Sequence, residues 1–393
     1  MPERPRILLV ESSNDGTIGG SHQCLLDIAR ALPGEGFTPV ALFHADNRIA
    51  EALRDEGIET SIWVPPPAPT VRDVPLLGRA TEIAQATAAR ARVLRELRID
   101  LLHLNNSLAT SYDDWLPAAI WEGIPRISHQ RMDYSPSGRR LWSVLVRQFD
   151  RVIAISDYVA GGLRAIGLRE PQLVRIYDGV DASRLAERVK RLPGSVREEF
   201  GIASDAVLVV MVAHLRTWKG QDAVLRALRL LPDGVRARLR VVFVGGEGRD
   251  GRGYLLTLQR LVSESGLQEV AHFVGERADV PDLMAAADIV LHASTIPEPF
   301  GLVVVEALAL GKTVVASSLG GPGEVLRDGA GHLFDPADEQ ALATLLERAV
   351  TDPEHFRIDP QHARDRAARF SVRSSVAALA AVYRQLLTDT TRG

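Results

Sequence analysis

Glu298 and Glu306 stand eight positions apart in the segment EPFGLVVVEAL (298–308), on either side of a Phe-Gly pair. A carboxylate accepts two hydroxyl hydrogen bonds at once, which suits the vicinal diols of a ribose or a hexose. With Glu298 just outside a helix and Glu306 about two turns inside it, the pair would hold different ends of one long ligand. The plainer alternative makes Glu298 an acidic residue near a helix start and Glu306 a solvated side chain. Glu306, however, sits between Val305 and Ala307 in an otherwise apolar run, where a charge is unusual. A second group with chemical potential is the loop Arg216-Thr217-Trp218-Lys219-Gly220-Gln221. Cations there would neutralise a diphosphate leaving group, whose charge grows as its bond to a sugar breaks. Taken alone, a loop lysine is more often a solvated surface charge. Lys219 gains weight by falling in the same domain, on the same sheet edge, as Glu298.

These residues need a scaffold, and the surrounding residues describe one. AADIVLHAS (286–294) is a short apolar run of the kind that forms a buried parallel strand, and the Ala/Leu/Val run after Gly301 ends at Gly311, a good helix C-cap. Glu298 therefore lies at a strand-to-helix turn, on the edge of an open α/β sheet where ligands bind and helix N–H groups attract phosphate. Short Val/Ile/Leu runs alternate with longer helical patterns twice along the chain, which predicts two doubly wound, Rossmann-like α/β domains with parallel sheets. The first domain spans 1–182, with strands at 6–10, 39–45, 100–106, 124–130, 151–156 and 173–181, and a first helix that Ser21 is suited to cap. A linker follows at 183–205. The second domain spans 206–372, with strands at 206–215, 238–246, 270–276, 286–294 and 312–318, and 373–393 forms a C-terminal helix with apolar residues Val376, Leu379, Val382 and Leu386 on one face.

At 393 residues the chain exceeds one hydrophobic core. A net charge of -4 gives no global basic field and argues against nucleic acid as the main partner. Cys24 is the single cysteine, so an intrachain disulfide and a cysteine zinc cluster are excluded and a reducing, cytoplasmic setting is expected. No apolar run reaches the ~18 residues of a membrane span, so the chain is expected to be soluble or peripheral. Residues 72–98 carry six arginines in a helical pattern, and RRLWSVLVRQFDR (139–151) is basic and apolar. Both admit peripheral contact with an anionic membrane, or more simply a solvated face and a core helix. GGEGRDGRG (245–253) contains the spacing G-x-G-x-x-G at Gly246, Gly248 and Gly251. It follows the second strand of its domain and lacks the acidic residue expected about twenty positions on, so it is weak as a nicotinamide-dinucleotide fingerprint.

In order along the chain, GGSHQCLLDIARAL (19–32), DRVIAISDYV (150–159), IYDGVD (176–181), WKGQDAVLRAL (218–228), ADIVLHAS, EPFGLVVVEALALGKTVVAS (298–317) and GGPGEVLRDGAGHLF (320–334) resemble a retaining family-4 glycosyltransferase. The resemblance implies the GT-B fold, two Rossmann-like domains facing across a cleft, with the C-terminal helix crossing back onto the first. It implies a nucleotide-diphosphate sugar donor and a hydroxyl acceptor, with no metal. Glu298 would bind hydroxyls of the donor sugar at the catalytic centre. The backbone N–H groups of Phe300, Gly301 and Leu302 would lie near sugar and phosphate, Glu306 at the ribose, Lys219 at the diphosphate, and Gly19 and Gly20 near the donor phosphates. Where many relatives carry an arginine five residues before the lysine, this chain has His214, with Arg216 the nearest substitute. Where relatives carry a histidine after the fourth strand, Arg131 aligns, with His129 two residues earlier. His129 would then face the acceptor as a catalytic candidate or be structural, and the loops holding Asn105, Asn106, Arg131 and Asp133 would set the acceptor. Two other outcomes of the same fold are a nucleotide-sugar 2-epimerase, which needs no acceptor, and a non-catalytic nucleotide-sugar-binding homologue.

Overall fold

The computed structural model describes residues 4–11, 19–64, 76–105, 115–132, 144–203, 205–248 and 253–390. The chain divides into two compact units, Met1–Gly179 with Val372–Gly393, and Val180–Ser371. In the first, strands β1 (Arg6–Glu11), β2 (Thr38–Phe43), β3 (Glu59–Ile62), β4 (Leu101–Asn105), β5 (Arg126–Gln130), β6 (Arg151–Ala154) and β7 (Leu173–Arg175) form a parallel sheet in the order β3-β2-β1-β4-β5-β6-β7. The inner strands are runs of Val, Ile, Leu and Ala because both of their faces are covered. Leu8, Val40, Leu102 and Val152 are all fully buried. β3, ETSI, holds one strong apolar residue and lies at the sheet edge, half exposed, which is why no apolar run announces it.

The chain leaves β1 toward β2 and β3, then returns to β1's other side with β4, so a topological switch lies between β1 and β4. The second unit repeats the device with β8 (Val207–Val212), β9 (Leu239–Val244), β10 (Ala271–Phe273), β11 (Ile289–His292), β12 (Thr313–Ser317) and β13 (His332–Phe334), ordered β10-β9-β8-β11-β12-β13. Its switch lies between β8 and β11. Loops leaving strands at a switch diverge and open a crevice at the carboxyl edge; Lys219 and Glu298 lie on the two loops at the second unit's switch, whereas His129 and Arg131 lie at the end of β5, away from the first unit's switch. The expected α/β architecture, with two doubly wound parallel sheets, is the one observed.

Three local features differ from expectation. The first helix, Gly20–Ala31, is N-capped by Gly19, whose extended backbone precedes the first turn, and Ser21 lies inside that turn. Residues 183–205, expected to be a linker between the domains, group with the second unit: helices Ala182–Glu187 and Pro193–Glu199 form there, and Asp282 accepts from the Lys190 and Arg191 backbone N–H groups at 2.6 and 2.7 Å. Arg90, Arg92 and Arg95 of the helix Leu76–Glu96 do not form one basic face. Arg90 is buried with its guanidinium 4.6 Å from the Trp63 ring centroid, Arg92 pairs with Glu96 at 2.7 Å, and Arg95 pairs with Glu122. Arg139 to Ser143 lie outside the described residues, while Val146 and Phe149 from the same run are buried in the first unit. Among the described residues no helix is long and apolar enough to cross a membrane.

The C-terminal helix Val372–Thr390 belongs to the first unit, where Val376, Leu379, Val382 and Leu386 join Leu25, Ile28 and Phe37 in one core. Tyr383 meets Phe37 edge to face, ring centroids 5.5 Å apart. Phe37→Ala should therefore cost about 3–5 kcal/mol, the usual range for emptying a buried aromatic site, read as a lowered urea midpoint of the full chain.

Candidate active site

At the switch of the second unit the loops leaving β8 and β11 are zipped together. The Trp218 carbonyl oxygen accepts from Thr295 N at 2.8 Å and from Thr295 Oγ1 at 3.2 Å. Gly220, at φ +80, turns the first loop into the helix Gln221–Arg229, and a Cβ there would lie 2.0 Å from the Ala293 carbonyl oxygen. Any other residue would push the loops apart. Their contact sets Lys219 Nζ 2.7 Å from Glu298 Oε1, with the ammonium 4.3 Å from the Trp218 ring centroid.

Glu298 is gripped from its other side as well. Its Oε2 accepts from Ser294 Oγ at 2.7 Å and from His292 Nε2, both just past or at the end of β11. Lys219 and Glu298 side chains are 15% and 18% exposed, and His292 is buried. Burial alone would raise the Glu298 carboxyl. The charge and hydrogen bond of His292, then those of Lys219, outweigh it and hold the group well below the usual carboxylate range. The backbone of Glu298 is fixed too, since its carbonyl accepts from Gly321 N at 2.8 Å, pinning the EPFG turn to the GGPG segment that follows β12. Reading by residue type missed His292 and Ser294. Their signal was present: two polar residues closing an apolar strand on the edge that binds ligands.

Helix Leu302–Ala309 starts at Gly301. The first-turn N–H groups of a helix have no partner within it and carry its positive dipole end. The Phe300 side chain is buried, edge to face with Phe370 at 5.7 Å, so that residue can offer a ligand only its backbone. Glu306 is half-buried on the stripe of Leu302, Val303 and Ala309, opposite the buried Val304, Val305, Ala307 and Leu308. It lies about 7.5 Å along the helix axis from Gly301, five residues at 1.5 Å each. In the neighbouring loop Gln221 Nε2 donates to the His214 carbonyl oxygen at 3.0 Å, while His214 Nδ1 has no hydrogen-bond partner among the described residues. Arg216 is half-buried in the same loop. The glycine run after β9 has a local use: a Cβ on Gly245 would lie 2.1 Å from the Ala213 carbonyl oxygen, so that glycine lets β9 close on the loop leaving β8.

In the first unit, Gly19 and Gly20 are exposed at the start of the first helix. Asn106 and Asp133 lie outside the described residues. Asn105, at the end of β4, donates from Nδ2 to Glu11 Oε2 at 2.6 Å and to the Ser21 carbonyl oxygen at 3.0 Å. Arg131 is buried and forks onto Asp178, with Nε to Oδ2 at 2.9 Å and Nη2 to Oδ1 at 2.8 Å, while Nη1 donates to Asn105 Oδ1. His129 is buried beside it, Nδ1 3.2 Å from His103 Nε2. Burial, then the Arg131 charge, lowers both imidazoles, His103 to about 3. Arg131 and His129 thus belong to one interior network.

Two stretches of the chain match known families: residues 195–369 match glycosyl transferases group 1, and residues 18–184 match glycosyltransferase family 4. The chain is 31% identical over 317 residues to the D-inositol 3-phosphate glycosyltransferase 2 of Catenulispora acidiphila, covering 74% of this chain and 71% of that one. It belongs to this glycosyltransferase family. The enzyme named D-inositol 3-phosphate glycosyltransferase in Saccharomonospora viridis is 32% identical over 253 residues, so the chain spans 57% of that relative's length. Among solved structures, Anabaena HepE in complex with UDP-glucose superposes with a TM-score of 0.80 at 27% identity, covering 97% of this chain and 99% of that one. A glycosyltransferase from Rickettsia africae superposes at 0.81 with 20% identity, covering 98% and 99%, a likeness of fold. The family's two matches divide between the two α/β units of this GT-B chain.

The depressed Glu298 carboxyl sets a pH dependence. Its stabilising contribution is present above its ordinary value of 4.5 and is lost as the pH falls below it. Lys219→Met should cost about 1.5–3 kcal/mol at pH 7, the range for a hydrogen bond to a charged group. The gap between wild type and Glu298→Gln should narrow on going to pH 3.5, both read by urea unfolding.

Proposed function

We propose that the chain transfers a sugar from a nucleotide-diphosphate donor, bound by the second unit, to an acceptor hydroxyl with retention of configuration and without a metal. The observation that carries this reading is the Glu298 carboxylate, held ionised between Lys219 and His292 at the sheet's carboxyl edge, next to the helix that bears Glu306. A carboxylate kept charged and immobile is a strong acceptor for sugar hydroxyls. Lys219 and the first-turn N–H groups of helix Leu302–Ala309 supply positive charge where a diphosphate would gain negative charge, the role a cation fills in other transferases. Glu306, farther along that helix, takes the ribose diol. With retention by front-face attack, the departing phosphate oxygen accepts the proton of the attacking hydroxyl. The family membership supports the transferase chemistry, and the likeness to HepE with UDP-glucose supports a nucleotide-sugar donor. UDP-sugars are the first donors to test, and D-inositol 3-phosphate, from the relatives' name, the first acceptor.

A panel of nucleotide sugars should contain one that raises the melting temperature, since a ligand at 100 times its dissociation constant adds about 2.7 kcal/mol. Glu306→Ala should weaken nucleotide binding, whereas Glu298→Gln should lower kcat with binding retained. Both variants matching wild type would remove the assignment. Turnover should persist in EDTA, and proton NMR should show product with the donor's anomeric configuration; loss of activity restored by magnesium, or an inverted anomer, would reject those parts of the reading.

A further inference from the structure

The interior network of the first unit fixes where the imidazole hydrogens lie. Two nitrogens lie within hydrogen-bonding distance of His129 Nδ1: Arg131 Nη2 at 3.3 Å, which can only donate, and His103 Nε2 at 3.2 Å. A guanidinium has no lone pair to offer, so Nδ1 of His129 must be the acceptor and its hydrogen must sit on Nε2. His103 then donates from Nε2, and its own Nδ1 must accept, which makes the Tyr383 hydroxyl the donor in the contact between them. The reverse assignment would leave the phenolic hydrogen of the fully buried Tyr383 with no acceptor recorded among the described residues. It would also aim the bare lone pair of His129 Nε2 at Asp178 Oδ1, 3.9 Å away. The Arg131–Asp178 pair therefore lies across one ring, positive at Nδ1 and negative at Nε2.

We infer that the Arg131–Asp178 pair, with His103 and Tyr383, locks His129 as a neutral Nε2–H hydrogen-bond donor, so that His129 serves the first unit as a fixed donor and not as a general base. This rests on the transferase reading and deepens it, because it takes His129, a candidate from the sequence, out of the role of general base and leaves the acceptor proton to the departing phosphate. His129 Nε2 has no hydrogen-bond partner among the described residues and is buried. It borders a cavity lined also by Cys24, Asp27, Tyr177, Asp178 and Ser375. The titratable groups that face the ring are Arg131 and Asp178 beside it, His103 on β4, Cys24 and Asp27 on the first helix, and Tyr383 reached through His103. The cation among these, Arg131, is at Nδ1, and Asp178 Oδ1 is 3.9 Å from Nε2. Arg131, Asp178, His103 and Tyr383 are positioning residues: they act through His129.

Long-range proton–nitrogen NMR of the uniformly labelled full chain reads this directly. Both His103 and His129, assigned with His129→Gln and His103→Asn, should appear as neutral Nε2–H tautomers that do not titrate between pH 5.5 and 8.5. An Nδ1–H tautomer for His129, or titration within that range, would overturn the inference, and this readout stands even if no sugar transfer is found. Tyr383→Phe should shift the His103 Nδ1 resonance toward that of an unbonded lone pair while His129 keeps its tautomer, which Arg131 sets; an unmoved His103 signal would refute the relay. In the transfer assay, glutamine can donate but cannot serve as a base. His129→Gln should stay within about tenfold of the wild-type kcat and exceed His129→Ala, whereas loss of a true base would cost both variants about 10²–10⁴-fold. Equal activities of the two variants would defeat the donor role.

Discussion

The candidate site of the second unit depends on one close approach of backbone to backbone, the loop leaving β8 against the end of β11 at Gly220 and Ala293. The contact admits no side chain at Gly220. Through it Lys219, on the β8 loop, comes within hydrogen-bonding distance of Glu298, on the β11 loop, two residues 79 positions apart in the chain. Without that approach the lysine would be one more solvated cation and the glutamate an acidic residue before a helix. With it, the lysine gains a carboxylate partner and the glutamate a second cationic neighbour after His292, in a mostly buried place where an unpaired ion would be costly. His292 and Ser294 complete the grip, so the carboxylate has little freedom to turn.

The two units handle buried charge in different ways. In the second, a carboxylate is surrounded by Lys219, His292 and Ser294 and remains partly open to solvent. In the first, Arg131 and Asp178 are both nearly sealed, and every arm of the guanidinium is engaged by Asp178, Asn105 or His129. A pair so enclosed gains strength from the low surrounding dielectric and cannot easily give up a partner. Its use is to orient its neighbours. The neutral imidazoles beside it follow from the same burial and the same positive charge.

Much of this was legible from residue order. The alternation of apolar runs with helical patterns specified two doubly wound sheets; Glu298 could be singled out at a strand-to-helix turn, Glu306 as a charge inside an apolar run, and Lys219 by falling on the same sheet edge. β3 could not be seen, since ETSI at a sheet edge buries little and shows neither an apolar run nor alternation. Residues 183–205 read as a linker because their charges hide two short helices whose stability comes from packing and from Asp282 far along the chain. The arginines of the helix Leu76–Glu96 read as a basic face because sequence cannot show Arg90 turning inward between tryptophans. His292 and Ser294 were within view but unassigned, because a polar residue at a strand end reveals its edge and not its partner.

The sequence by itself determined the fold class, the sheet edge on which ligands would bind and the kinds of charge placed there, because burial periodicity and turn residues act locally and are written in short stretches of chain. Only the tertiary structure decided the pairings: Lys219 with Glu298, Arg131 with Asp178, Tyr383 with His103. Each joins residues distant in sequence, and hydrogen-bond direction and electrostatic strength depend on separations of a few ångströms that no local pattern encodes. That is why His129 could be recognised as a candidate from its position, while its role as a donor followed from what stands on either side of its ring.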